Sequence, residues 1–275
     1  INSSDRAPRR PASAGGWRVI VRTAVIAFSD PSREATWLTE FHAFTPLHAL
    51  VVVICFALMA GASYLGRRWR GTAKEARFRR GWGLTVLAYS ILISIWWVLP
   101  QNWDVGKSLP LHLCDVSIFI AAGAMLTNLR TLRSLLYFWG IGLSTQAFVT
   151  PTLQEGAADW RFWLFWIGHV MIVGSGIYDV AVGVYRPTVR DLVQAIVLGV
   201  LYIALLVGIN IAFDLNYGYV GRTDPSTRTV VQSLGPWPWR VVLMVLMAMA
   251  VFIVLWAVWP ISRRLTRDEP HQELP

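Results

Sequence analysis

Seven uninterrupted apolar runs dominate this chain, near residues 46–66, 81–99, 110–127, 132–150, 161–183, 191–213 and 238–261. A bilayer core about 30 Å thick takes roughly 20 apolar residues per helical crossing. In lipid the backbone must satisfy its own hydrogen bonds, and these runs are too long and continuous for barrel strands, so each is expected to be a helix. The reading is an all-α polytopic membrane protein with a bundle of seven transmembrane helices over 46–261. An N-terminal tail fills 1–45 and a C-terminal tail 262–275. With 55% hydrophobic and only 15% charged residues, the whole composition agrees.

Arginine placement sets the expected orientation, because cytoplasmic loops collect Lys and Arg. The 67–80 linker, "RRWRGTAKEARFRR", holds seven of them. Others follow the third run (Arg130, Arg133), the fifth (Arg186, Arg190) and the seventh (Arg263, Arg264, Arg267). The alternate linkers carry Asp104, Glu155, Asp159, Asp214 and Asp224 against Lys107, Arg222 and Arg228. Seven crossings then put the N-terminus outside and the C-terminus in the cytoplasm of a bacterial inner or plasma membrane. The arginine-rich N-terminal tail argues the other way, but only Arg33 falls within about 15 to 20 residues of the first run, where the rule has force. Within that tail, "WRVIVRTAVIAF" (17–28) is too short to span and is expected to lie on the membrane surface. Topology and lipid headgroups account for the formal charge of +9, so no nucleic-acid partner is expected.

Polar groups inside these runs carry the functional signal, since ionisable residues in a membrane usually face a cavity or a partner. At 1.5 Å per residue, Cys114 lies roughly 6 Å and His169 roughly 12 Å below the outer ends of their runs. Gln146 and Asn210 lie at similar depths, and His48 is near the outer end of the first run. Five helices thus offer hydrogen-bonding groups to one half of the bilayer, which points to a cavity opening outward.

In "LPLHLCDVS" (109–117), His112 and Cys114 are two residues apart and point away from each other on a regular helix, whereas His112 and Asp115 share a face. A base for Cys114 must therefore come from another helix, and His169 is the histidine deep enough to serve. Pro110 suits the first turn, so Cys114 sits near a helix N-terminus whose dipole favours a thiolate. Asp115 is the expected orienter of His169. Trp237, in the aromatic loop "LGPWPW", is expected to roof the cavity.

The stretch "LPLHLCDVS", followed in order by "YFWGIGLSTQAFVTP", "RFWLFWIGHV" and "LGPWPW", resembles the YwaF family of bacterial integral membrane proteins, related to animal transmembrane protein 164. The resemblance covers roughly 40–260. The animal relative is regarded as an acyltransferase acting on ether phospholipids with a cysteine nucleophile and a histidine, roles that fall by resemblance on Cys114 and His169. What it implies is phospholipid acyl transfer through a thioester, with a membrane phospholipid as donor or acceptor and no cofactor. His112, Gln146, Asn210, His48 and Trp237 are the expected substrate-binding residues. Two other classes stay open on the residues alone. His48, His112, Asp115 and His169 could bind zinc in a lipid hydrolase, or the protein could carry or sense a lipid or small molecule without chemistry.

Overall fold

The computed structural model describes residues 36–222 and 230–267. The surface helix expected over 17–28, the arginines of the N-terminal tail, Asp224, Arg228 and the 268–275 end of the C-terminal tail lie outside the described residues. Among the described residues, after a one-turn helix at Thr36–Thr39, seven longer α-helices follow one another: α1 (Pro46–Arg68), α2 (Ala73–Val98), α3 (Leu113–Thr127), α4 (Arg130–Leu135), α5 (Trp160–Ala181), α6 (Val189–Phe213) and α7 (Trp239–Arg267). By length and composition α1, α2, α5, α6 and the 239–261 part of α7 can each cross a membrane, while α3 is apolar but only 15 residues long.

Local chemistry starts these helices where they start. The Thr45 side chain accepts the His48 N–H at 3.3 Å with Pro46 at the first helical position, and Asp159 accepts the Arg161 N–H at 2.8 Å. Thr188 and Asp191 cap α6 reciprocally. Asn128 and Asp214, both at positive φ, close α3 and α6.

The fourth apolar run departs from expectation. In place of one continuous helix over 132–150, α4 widens into a π-helix (Leu136–Ile141) and then tightens into a 3₁₀ turn (Ser144–Phe148). The Gly142 N–H reaches back five residues to the Tyr137 carbonyl at 3.3 Å, which leaves carbonyls of this segment without their usual helical donors. Side chains take some of them: Ser144 Oγ donates to Trp139 O at 3.3 Å and Thr145 Oγ1 to Ile141 O at 2.6 Å. Gly142 is obligatory there, because a Cβ would strike the Phe138 carbonyl. Packing fixes the break in place. Gly176 lets α5 settle on it so closely that a Cβ would stand 2.6 Å from Ile141 Cγ1.

The core forms where α3 and this broken segment meet α2 and α5, around fully buried Val86, Ala121, Ala124, Met125, Phe138 and Ile172. Small alanines on α3 let the helices close up, the usual basis of helix association in lipid. α6 and α7 are peripheral and keep large apolar side chains such as Leu201, Leu205, Leu246 and Val254 outward.

The two ends of the bundle differ in chemistry. At the basic end, Arg133 pairs with Asp179 and Arg130 with Asp191 at 2.6 Å, the Tyr185 ring lies under both guanidiniums, and Ser134 Oγ donates to Asp191 O at 3.0 Å. These contacts bind α4, α5 and α6 together. At the opposite end residues 37–41 are tied to the linker before α5, through Phe41 N–H to Gln154 O at 2.8 Å and Ala158 N–H to Leu38 O at 2.9 Å. The last residues of the expected N-terminal tail are thus part of the packed structure.

Candidate functional site

The first turn of α3 builds the site. His112 is its N-cap, Cys114 its second residue and Asp115 its third. Asp115 Oδ2 accepts the His112 N–H at 3.1 Å, so the carboxylate caps the helix as the glutamate of a capping box would. Its other oxygen, Oδ1, lies 3.8 Å from Cys114 Sγ and takes the thiol hydrogen in a long, weak contact. His112 Nδ1 accepts the Gly218 N–H at 3.4 Å, and its ring stands 5.2 Å from that of Tyr217 and 6.0 Å from that of Tyr219.

His169 is on α5, the helix that packs against α3. Its Nδ1 lies 2.7 Å from the Phe165 carbonyl, and a carbonyl can only accept, so Nδ1 carries the hydrogen. In the neutral ring Nε2 then presents a lone pair, and among the described residues nothing donates to it. The Phe165 ring, 4.3 Å away, holds the imidazole from one side. Both Cys114 and His169 are partly buried.

No hydrogen bond joins Cys114 to His169. The reason is local: the thiol hydrogen goes to Asp115 on its own helix, and Nδ1 of the imidazole is held by its own helix backbone. Asp115 accordingly serves α3 and Cys114 and does not orient His169. Tyr89 spans the distance between the two helices. Its hydroxyl donates to Leu164 O at 2.8 Å and lies against Gly168, while α2 itself packs on α3.

The other expected binding residues are engaged elsewhere. His48 is 5% exposed with both ring nitrogens used: Nδ1 accepts the Phe44 N–H at 3.0 Å and Nε2–H donates to Phe148 O at 3.2 Å. Asn210, 2% exposed, is a two-sided clamp, its Nδ2 donating to Tyr217 O and its Oδ1 accepting the Tyr217 N–H, each at 2.9 Å. Gln146 is exposed and donates to Thr150 Oγ1 at 3.4 Å. The Trp237 indole N–H donates to Val220 O at 3.2 Å with Arg222 over its ring. Among the described residues no three His, Cys, Asp or Glu side chains gather as metal ligands would, so the four groups of the zinc reading do not come together as one set.

Sequence reasoning missed the tyrosines gathered around the start of α3. Tyr202 donates to Leu111 O at 2.7 Å, just before α3, and the Tyr219 ring stands 6.0 Å from that of His112. Tyr217 is fully buried, donates to Val105 O at 2.7 Å and accepts the Leu109 N–H at 3.1 Å. Asn210 therefore fixes Tyr217, and Tyr217 fixes both the chain entering α3 and the turn that lays Gly218 on His112. Burial pushes the Tyr217 and Tyr219 phenols up, so both remain O–H donors. Tyr219 holds φ at 61°, a left-handed conformation costly for an aromatic residue and a mark of positions kept for function. For Tyr202 the available signal was a hydroxyl-bearing aromatic inside the sixth apolar run, whereas Tyr217 and Tyr219 fall in the linker that follows it.

The model of the TMEM164 family matches residues 38–256. No curated protein and no solved structure matches the chain.

Proposed function

The chain belongs to the TMEM164 family of membrane proteins, and on that premise we propose that it is a multi-pass lipid acyltransferase of the cell membrane, working through a thioester on Cys114. α3 and the α4–π–3₁₀ segment count as two further crossings in this reading, giving seven, with the N-terminus outside and the C-terminus inside. Residues 46–261 form the membrane domain and the two ends are tails. In a background lacking Cys55 and Cys114, an impermeant thiol reagent should label Ala158→Cys in intact cells and leave Ala73→Cys unlabelled. The reverse pattern would invert the orientation.

The carrying observation is the fixed tautomer of His169, which leaves Nε2 as an acceptor on α5, the helix packed against α3 with Cys114 at its N-terminus. Nε2 takes the thiol proton, the α3 dipole favours the thiolate, and the sulfur attacks the ester carbonyl of a phospholipid. The S–C bond forms, the ester C–O bond breaks, and the departing alkoxide receives the proton from His169. An acceptor lysolipid hydroxyl then gives its proton to Nε2 and attacks the thioester, freeing the sulfur. The Cys114 amide, in the first turn and without a helical carbonyl partner, suits the oxyanion, with Tyr219 as a second donor. Catalytic hydrogen bonds are often absent from a substrate-free site and form around the substrate, which fits the open Cys114–His169 pair.

The test uses purified protein in liposomes holding a phospholipid with an isotope-labelled acyl chain and an unlabelled lysolipid. Appearance of label in the acceptor by mass spectrometry is the expected result. Lipid binding without transfer would replace the enzyme with a carrier.

A further inference from the structure

Helices joined by a short linker normally pack as an antiparallel pair, but α1 and α2, separated only by residues 69–72, do not. α1 packs on α5 and α2 on α3, which leaves a wedge open between α1 and α2 with α5 as its floor. An apolar groove of about 280 Å³ lies in this wedge, lined by Leu58 and Ala62 of α1, Phe78 and Trp82 of α2 and Val170 and Gly174 of α5. Void at such a place forfeits dispersion contacts on every wall, so in a bilayer something apolar occupies it.

We infer that this groove holds one acyl chain of an anionic phospholipid, whose headgroup sits on the basic linker at the wedge's apex. The lining stripes run in register along the groove, with Val170, Gly174 and Tyr178 every fourth residue over about 12 Å of α5. Continued by one turn toward the apex, the α2 stripe through Trp82 and Phe78 arrives at exposed Lys74. The α1 side ends in Arg67 and Arg70, which both donate to the Ala181 carbonyl at the end of α5 and so hold the apex together. Trp69 and Tyr178 flank Phe78, at 5.8 and 5.7 Å, as an aromatic collar of the kind that settles at headgroup level. The acid at this place is already neutralised, since Glu75 accepts the Tyr178 hydroxyl at 3.1 Å and pairs with Arg79 at 3.6 Å. Apolar walls and a cationic mouth complement a long chain bearing a phosphate without a balancing amine, and such a site is independent of the chemistry at Cys114.

Native mass spectrometry of the full chain, titrated with phosphatidylglycerol or phosphatidylcholine of identical chains, tests this. One phosphatidylglycerol should be retained about tenfold more tightly than phosphatidylcholine, in line with a few Lys and Arg contacts. Ala62→Phe, which fills the groove from α1, should abolish that retention, and Leu58→Trp gives the same readout should the first variant fold poorly. Lys74→Gln should reduce the preference for the anionic lipid severalfold and leave phosphatidylcholine retention unchanged. Equal retention of the two lipids by the wild type, or undiminished phosphatidylglycerol on a folded groove-filling variant, overturns the inference. Acyl transfer by the same preparations, measured in parallel, separates this outcome from the fate of the proposed reaction.

Discussion

On the proposed thioester mechanism, Cys114→Ser should eliminate acyl transfer, and His169→Ala should lower its turnover by at least about 10²-fold, the lower range for loss of a positioned general base. Serine keeps the shape of the cysteine but is far less acidic, so the helix dipole that favours a thiolate at the start of α3 cannot generate an alkoxide there. Loss of His169 leaves the thiol hydrogen on Asp115, 3.8 Å from the sulfur, with no acceptor placed to relay it to the leaving group. Because the pair acts as a unit, the double variant should be little worse than Cys114→Ser alone. Turnover of labelled lipid in liposomes reads all three. Gln146→Ala, at an exposed position whose amide donates to Thr150 Oγ1, should retain full activity.

Asp179→Ala is expected to destabilise the protein by about 3 to 5 kcal/mol, the cost of leaving one member of a buried ion pair behind. Arg133 Nε lies 3.0 and 2.9 Å from the two Asp179 oxygens, and its NH2 also donates to Gly183 O at 3.0 Å. Asp179 is only 4% exposed, so water cannot substitute for the lost carboxylate. The π-stacked Tyr185 ring, 5.1 Å from the guanidinium, offsets a small part of that loss. A large fall in melting midpoint in detergent is the measured quantity. The double change Arg133→Leu with Asp179→Leu should recover most of it, since apolar replacement of an entire buried pair is often neutral.

The sequence made the helices legible through apolar runs alone, and the starts of α1, α5 and α6 fall within two residues of the expected ones. It did not show the π turn after α4, because that break depends on Gly176 of α5 packing against Ile141, a contact between distant segments. α3 begins at Leu113 and not at Pro110 because Asp115 caps it by way of the His112 amide, with histidine where a serine or threonine would have signalled the cap. Cys114 and His169 stood out because titratable groups are rare in lipid. The same logic over-read His48 and Asn210, whose partners, the Phe148 carbonyl and the Tyr217 backbone, no spacing rule reveals. Depth alone could not tell a clamp from a catalyst. What separates them is whether each polar atom is already spoken for: both nitrogens of His48 are, and one nitrogen of His169 is not.

The thioester itself is the most direct measure of the account. Purified protein incubated with donor phospholipid and no acceptor should gain the mass of one acyl chain on the peptide containing Cys114, and hydroxylamine or an added lysolipid should remove it. The adduct should be missing from Cys114→Ser and slow to form in His169→Ala. Acyl transfer at full rate with Cys114 unmodified, or an adduct that survives in Cys114→Ser, would contradict the account.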